Sequence, residues 1–315
     1  MTFVTIIALW SCNVDNATSG GLFWRITGNG LKEPSYLLGT NHGMSGDFLD
    51  SIPRFFEILD SVKQLAVERD ISNLFNEDSV KTLKRLLPDG TTYRDLLDDD
   101  EIAVLDSVLF IYSPLNSQKM NWNPGVLLYN LQYSMLIKES KKWATENPFL
   151  LVVNLRRSVD GRIQKIAKFR SYSMVELDSE EKLEQLGLDD MSIFFTSQKL
   201  QGQAKEMVES IKKSQKDTFF VFASRKAQEA YYNQNLKEIE KWHTHQAILK
   251  DENSRAINYK MSVARNIFWM DKITSSIEKQ STLIVAGVAH LSGEKGVINL
   301  LRDKGYKVEP VIKIN

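Results

Sequence analysis

The chain reads as an α/β protein, with α+β left open, built on a central mostly parallel sheet from two related halves and carrying a large helical insertion. Three observations predict this. Each end of the chain runs an apolar, strand-like segment into Gly-x-x-His: Ser35-Tyr36-Leu37-Leu38 stops at Gly39 and reaches His42, and Leu283-Ile284-Val285-Ala286 stops at Gly287 and reaches His290. Between residues 35 and 67 the pattern alternates strand, helix and strand, the unit that builds parallel sheets. From about Leu83 to Trp143 the apolar residues recur at helical spacing, and the stretch from Ile193 to Lys241, rich in Lys, Glu, Gln and Ala, also reads as helical.

Taken in order, Leu22-Phe23-Trp24-Arg25-Ile26 opens the fold as a strand, and Gly28-Asn29-Gly30 marks a hairpin turn. A second strand ends at Gly39, leaving Thr40-Asn41-His42-Gly43 at its carboxyl end. Ser51 is placed to cap a helix with Pro53 in its first turn and Phe55, Phe56 and Leu59 on one face. Gln64-Leu65-Ala66-Val67 returns as a strand and sets Glu68 at its tip. Pro88, Pro114 and Pro124 divide the following helical stretch. Phe149 to Val153 fits either a strand or a helix core, and the residues from Ile193 to Lys241 read as helical. Near the end, Arg265 falls on a helical pattern and Leu283 to Ala286 forms a buried strand. Ser292 is placed to cap a helix that Gly305 closes, and Tyr306 to Ile312 returns as the last strand.

A chain of 315 residues with 43% hydrophobic and 25% charged residues can bury a sizeable core. Forty basic residues balance forty acidic ones, so no positive field exists to hold a polyanion, and no nucleic acid partner is expected. The longest terminal apolar run, Phe3 to Trp10, is far short of the roughly eighteen residues a spanning helix needs. It ends at Ser11-Cys12, which has the form of an export signal or a relaxed bacterial lipobox with Cys12 as the lipidation point. Residues 1–21 are therefore expected to be an export signal or lipoprotein-type N-terminus and tether, and residues 22–315 one domain. The protein is then exported to the cell envelope, as a lipoprotein or in the periplasm, with a possible lipid anchor and no transmembrane span. A single cysteine forbids an internal disulfide.

Two of only four histidines occupy the repeated strand-Gly-x-x-His design. In open α/β sheets ligands gather outside the carboxyl ends of the strands, so both histidines are expected to face one crevice. Glycine three positions earlier lets the chain turn off each strand. The other two histidines lie in Trp242-His243-Thr244-His245, where flanking helical, charged sequence predicts solvated side chains, since residues two apart diverge on a helix.

Leu22 to Ile26 and Ser35 to His42 resemble the opening of the TraB/GumN family. Arg265-Asn266, Gly287 to His290, Gly293-Glu294-Lys295-Gly296-Val297 and Gly305 to Val311 resemble its closing block, and Leu177-Asp178-Ser179-Glu180-Glu181 matches its middle weakly. That family is similar to the TIKI proteins, which are divalent-metal-dependent proteases, and to a superfamily that includes ChaN-like iron-regulated proteins and erythromycin esterases. The resemblance implies a ChaN/EreA-like fold and a site joining His42, His290, Glu68 and Arg265. It implies that His42, His290 and Glu68 hold a divalent metal (Mn, Co or Zn), with Glu68 and Arg265 catalytic and a peptide or small molecule as substrate. Such a metal can activate bound water, and a planar guanidinium can hold a substrate oxygen as charge develops. Asn41, Asp178 and Asn266 are further possible site residues. Asp178 stands where the family commonly has Glu, and Asn266, one position from Arg265, is placed to brace a loop. The implied function is a metal-dependent, peptidase-like hydrolase. The alternatives are a non-catalytic metal- or haem-handling envelope protein and an inactive binding scaffold.

Overall fold

The computed structural model describes residues 21–71, 85–140, 149, 155–216, 218–246 and 248–312. Residues 1–20, with Cys12 and the expected export segment, lie outside them, as does the Phe149 to Val153 segment apart from Phe149 itself.

Six strands form one sheet: β1 (Phe23–Thr27), β2 (Ser35–Thr40), β3 (Gln64–Val67), β4 (Ser173–Glu176), β5 (Thr282–Gly287) and β6 (Lys307–Pro310). Their order is β4-β3-β5-β2-β1-β6. The pairs β4/β3, β3/β5 and β5/β2 are parallel, while β1 runs antiparallel to both β2 and β6. All six residues of β2 and the first five of β5 are buried, so these central strands are apolar on both faces, as parallel sheets covered by helices require. The β1–β2 hairpin turns through Gly28, Asn29 and Gly30, all with positive φ (80°, 48° and 80°), which glycine and asparagine tolerate.

Strand order departs from the simple reading of the first unit. The crossover from β2 to β3 leaves a gap, and β5, from the far end of the chain, fills it. Tyr36 to Thr40 thus pair in register with Leu283 to Gly287. That insertion sets the two Gly-x-x-His segments side by side.

Among the described residues the helices are α1 (Phe55–Ser61), α2 (Asp99–Tyr112), α3 (Pro124–Ser140), α4 (Val159–Phe169), α5 (Glu180–Leu186), α6 (Leu200–Ser214), α7 (Thr218–Tyr232), α8 (Leu236–His243), α9 (Glu252–Asn258), α10 (Arg265–Lys279) and α11 (Val297–Asp303). Their starts are legible locally. Asp98 and Glu101 form a reciprocal capping box at α2, Pro124 opens α3 in the position where its missing N–H costs nothing, and Ser158, Ser179 and Asn235 cap α4, α5 and α8. Two expected caps differ. Ser51 closes a short 3-10 turn (Gly46–Ser51) and donates its hydroxyl to Phe48 O, and α1 begins only after Arg54, which takes a left-handed φ of 57°. Gly296, and not Ser292, precedes α11. Gly305 follows α11 at φ 89°, as its position predicts.

One core joins the sheet to α1, α4, α10 and α11, with Trp24, Phe48, Phe55 and Trp269 among its largest fully buried side chains. A second unites α2, α3 and α6 of the helical insertion around Tyr93, Leu105 and Met207. A small third cluster, Leu183, Leu186, Leu188, Ile193 and Ala264, lies where the insertion meets the chain leading to Arg265. Among the described residues no helix is long and apolar enough to cross a membrane.

Candidate active site at the carboxyl ends of the parallel strands

The four parallel strands end on one edge, and each brings a polar residue to it. Glu68 follows β3 directly. Asp178 comes two residues after β4, and its N–H donates to Glu68 O at 3.1 Å. His42 lies two residues beyond β2, and His290 ends a 3-10 turn (Val288–His290) that leaves β5. Convergence therefore follows from strand order alone.

The glycines of the two motifs serve close approach. Neither Gly39 nor Gly287 has a positive φ. A Cβ on Gly39 would lie 2.8 Å from Leu291 Cδ2 and 3.2 Å from Val288 Cα, so the first motif packs directly against the second. A Cβ on Gly287 would lie 3.2 Å from Glu68 Oε1, the oxygen that accepts the Gly287 N–H at 2.5 Å.

Arg265 enters from the other side. A six-residue π-helical turn (Tyr259–Ala264) immediately precedes α10, and such turns change which face of a helix a side chain occupies. Its guanidinium is fully engaged. Nε donates to Asp178 Oδ1 (3.2 Å), Nη2 to Asp178 Oδ2 (2.8 Å) and Glu68 Oε2 (2.5 Å), and Nη1 to Met261 O (3.2 Å) and His290 Nε2 (3.2 Å). Those contacts account for all the N–H donors a guanidinium carries. Trp269 lies 4.7 Å beneath it and donates its indole N–H to Asp178 Oδ1 at 2.8 Å. Burial opposes the charge of Arg265, but Glu68 and Asp178 outweigh it and raise its pKa further. Burial likewise opposes ionisation of Glu68, yet Arg265, the two histidines and the Gly287 N–H hold that carboxyl well below its usual range.

Because Arg265 presents a donor to His290 Nε2, that nitrogen is the acceptor. The ring proton then sits on Nδ1 and is donated to Asn266 Oδ1 at 2.7 Å. Asn266 is held for this by donating Nδ2 to His290 O (3.1 Å) and Lys295 O (2.9 Å), so it braces the loop as well as the ring. Trp269 covers one face of the His290 ring, with centroids 4.4 Å apart. Burial pushes His290 down to about 4 against the pull of Glu68, so it is neutral at physiological pH.

His42 is different. Its side chain is 49% exposed, and Nδ1 donates to Asp160 Oδ2 at 2.9 Å. Asp160, in the first turn of α4, is itself buried and accepts Thr40 Oγ1 on its other oxygen at 2.7 Å. Asp160 raises the His42 pKa to about 9, with burial opposing and Glu68 adding. Glu68 and Arg265 both act electrostatically on His42, and His42 on His290, which puts the two rings in one field.

The site residues expected from sequence thus gather at one edge: Glu68, Asp178, Arg265, Asn266 and His290 share a hydrogen-bonded network, and His42 faces it. Asn41 sits beside them, its Oδ1 accepting the Gly43 N–H at 2.9 Å. Sequence reasoning missed Asp160, which carries no motif and looks like any acidic residue opening a helix. It also missed Trp269, placed one turn after Arg265, and Tyr129 of α3, which feels the charges of Glu68 and Arg265. His243, expected to be solvated, is half-buried and lowered in pKa by burial.

A divalent metal does not fit the donors as they stand. The single lone pair of His290 Nε2 is taken by Arg265, each Glu68 oxygen already accepts one hydrogen bond, from Arg265 or the Gly287 N–H, and the cation between the carboxylates is the guanidinium itself. Among the described residues no group of three or more His, Cys, Asp and Glu side chains is set out to hold a metal.

The fold and site define an α/β protein with a histidine, carboxylate and arginine cluster at the carboxyl ends of its parallel strands. The chain belongs to the TraB/PrgY/gumN family, whose model matches residues 22–310. No curated protein and no solved structure matches it.

Proposed function

We propose that the protein is a hydrolase of peptide or related acyl bonds, with His42 as the base that activates water. The observation that carries this reading is the His42 to Asp160 contact: a buried carboxylate fixes Nδ1 as the protonated nitrogen of a half-exposed ring and leaves Nε2 without a hydrogen-bond partner among the described residues. A carboxylate behind a histidine orients the ring and stabilises the imidazolium formed when it takes a proton, the arrangement general-base histidines use. Arg265 has no N–H left for a substrate oxygen in this arrangement. It acts through Glu68, Asp178 and His290, which it fixes in place, and is a positioning residue. With a pKa of about 9, only about one His42 ring in a hundred is neutral at pH 7, so turnover per site rises with pH up to that value.

A screen of fluorogenic peptides and esters, run with and without chelator, tests this. His42→Ala is expected to lower hydrolysis by about 10³-fold with the fold intact, and Asp160→Asn by about 10²-fold or more. The reading fails if both variants keep full activity. Loss of activity in chelator, restored by Mn²⁺, Co²⁺ or Zn²⁺, favours instead the metal-dependent form, which needs Arg265 to release His290 and Glu68. What supports that second form is the closeness of His290 Nε2 and Glu68 Oε1, 3.9 Å apart, which need to approach by only about 0.5 Å to reach the roughly 3.4 Å span of two ligands on one tetrahedral ion. If the purified protein holds metal or haem and hydrolyses nothing, the carrier reading takes over.

Export completes the proposal, with Cys12 lipidated in the cell envelope. The apolar run Phe3 to Trp10 before Ser11-Cys12 supports it. Fractionation and mass spectrometry of the mature N-terminus test it, and an intact Met1 in the cytosol would sink it.

A further inference from the structure

The helical insertion turns one face of α3 towards the charged cluster. Leu127, Leu128, Leu131 and Met135 of α3 pack into the core of the insertion. At about 100° per residue, Tyr129, Tyr133 and Leu136 fall within about 60° of one another on the other side of the helix. Two sets of contacts fix where that side points. The start of α3 is pressed on the turn before Phe194, where a Cβ on Gly125 would lie 2.6 Å from Met191 O. Ile193 and Phe194 of the following 3-10 turn (Ser192–Phe194) pack in the cluster that contains Ala264, the residue before Arg265. Tyr129 stacks on the Phe194 ring, with centroids 6.5 Å apart and planes 18° apart. At the far end, two turns on, Leu136 lines a cavity with Asn41, Asn266, Ala289 and Ser292. The face therefore runs across the strand ends from the Arg265 side to the Asn41 side, about 10 Å at 1.5 Å per residue.

Tyr129 is unlike a packed tyrosine. It is 40% exposed, yet burial raises its hydroxyl pKa, with Glu68 adding and Arg265 opposing, so it stands in a recess of the surface within reach of both charges. Burial raises Tyr133 as well, and Tyr129 adds to it. Both hydroxyls stay protonated and are donors, and neither has a hydrogen-bond partner among the described residues. Hydrolysis of an acyl bond needs a donor for the oxygen on which charge develops. Arg265 has no N–H to spare, whereas the Tyr129 hydroxyl is unengaged.

We infer that this face of α3 is the roof of the substrate site: Tyr133 and Leu136 hold an apolar or aromatic side chain on the acyl side of the bond cleaved, and the Tyr129 hydroxyl donates to the carbonyl oxygen of that bond. Rings and a leucine offer apolar contact without charge, which suits a side chain of the same kind. The donor role rests on the hydrolase reading, and the apolar selection does not.

The test uses the whole protein and two pairs of probes. The p-nitroanilides of N-acetyl-phenylalanine and N-acetyl-glycine report cleavage, and the corresponding amides report binding by calorimetry to the His42→Ala variant, which does not turn them over. The phenylalanine anilide is expected to have a kcat/KM about tenfold or more above the glycine one, and the phenylalanine amide to bind tighter by a similar factor, the scale of burying one aromatic side chain. Tyr133→Ala should bring both ratios within about threefold of unity. Tyr129→Phe keeps the ring on Phe194 and removes only the donor. Its kcat should fall about 10²-fold while KM and the phenylalanine preference stay within about threefold of the parent, a split that a merely structural role would not produce. Equal affinity of the two amides, or a phenylalanine preference untouched by Tyr133→Ala, overturns the roof. A parent kcat in Tyr129→Phe overturns the donor. If Tyr133→Ala abolishes a real difference between the amides while the parent cleaves neither anilide, the hydrolase reading and the donor role have failed and the roof stands. Cleavage of both anilides with equal kcat/KM is the reverse case, in which the roof fails and the hydrolase stands. Thermal unfolding of each variant separates loss of function from loss of fold.

Discussion

The chain uses one local design twice, strand then Gly-x-x-His, and the two copies reach opposite electrostatic ends. At the first, His42 is half exposed, rests on a carboxylate and is raised to about 9; at the second, His290 is buried, rests on an amide and is lowered to about 4. The motif positions a histidine at the edge of the sheet and says nothing of its charge. The partner at Nδ1, Asp160 in one copy and Asn266 in the other, decides that, together with how much water reaches the ring. An open ring with a carboxylate behind it suits proton transfer. A neutral ring locked between Asn266 and Arg265 suits holding a buried guanidinium still.

The division is sharpest under truncation. His290→Ala leaves Asn266 Oδ1 and one Arg265 N–H without partners and uncovers the Trp269 face, so unfolding should become easier by about 3–5 kcal/mol, the scale of breaking a buried charged network. His42→Ala removes a ring that water already reaches, and its effect on stability should be much the smaller. Denaturant unfolding of both variants checks this. Equal losses would mean the two copies are structurally equivalent.

The glycines refine the comparison. Gly39→Ala pushes a methyl group to 2.8 Å from Leu291 Cδ2 and onto the backbone of Val288, which belongs to the other motif. Overpacking there should cost about 1–3 kcal/mol. Gly287→Ala meets a carboxylate oxygen at 3.2 Å and should cost less, while disturbing the Glu68 contact and through it the pH dependence of the site. A larger loss from Gly287→Ala would show that Glu68, and not the packing of loop on loop, is the rigid element.

Much of this arrangement was legible in the sequence, and the omissions have physical reasons. The strands that end at Thr40, Val67 and Gly287 are short apolar runs closed by glycine or by charge within a residue, which a local pattern can mark. That β5 would enter between β3 and β2 is a long-range choice, and periodicity contains no information on it. Glu68, Asp178, Arg265 and Asn266 were reached through the family resemblance and lie together in the fold, but the count of donors on Arg265 required geometry. Asp160 was invisible because its role depends on α4 packing beneath Thr40 and His42 across 118 positions. Ser51 and Ser292 are reminders that a residue able to cap a helix also has other uses, here closing a 3-10 turn and lining a cavity.

The smallest effect expected is in the pH dependence of stability, and it separates the two histidines by sign. His42 has its pKa raised above the ordinary 6.5 on folding, so its contribution is complete below about 6.5 and is lost as pH rises through about 9. His290 has its pKa lowered, so its contribution is complete above about 6.5 and is lost as pH falls towards about 4, where the ring would have to charge while buried beside Arg265. Glu68, held low, adds a loss in the same direction at more acid pH. Together the histidines give a maximum near their common unfolded value, with a gentle decline on either side. The His42 limb should be the shallower because water reaches that ring and screens its pair with Asp160. Melting temperatures read from pH 4 to 9 for the parent chain, His42→Ala and His290→Gln resolve the two limbs. The gap between parent and His42→Ala should close as pH rises above 6.5. The gap between parent and His290→Gln should close as pH falls below it. Gaps that close in the opposite directions would mean that Asp160 and Asn266 do not set the charges of the two rings, and the base assigned to His42 would have to be sought at His290.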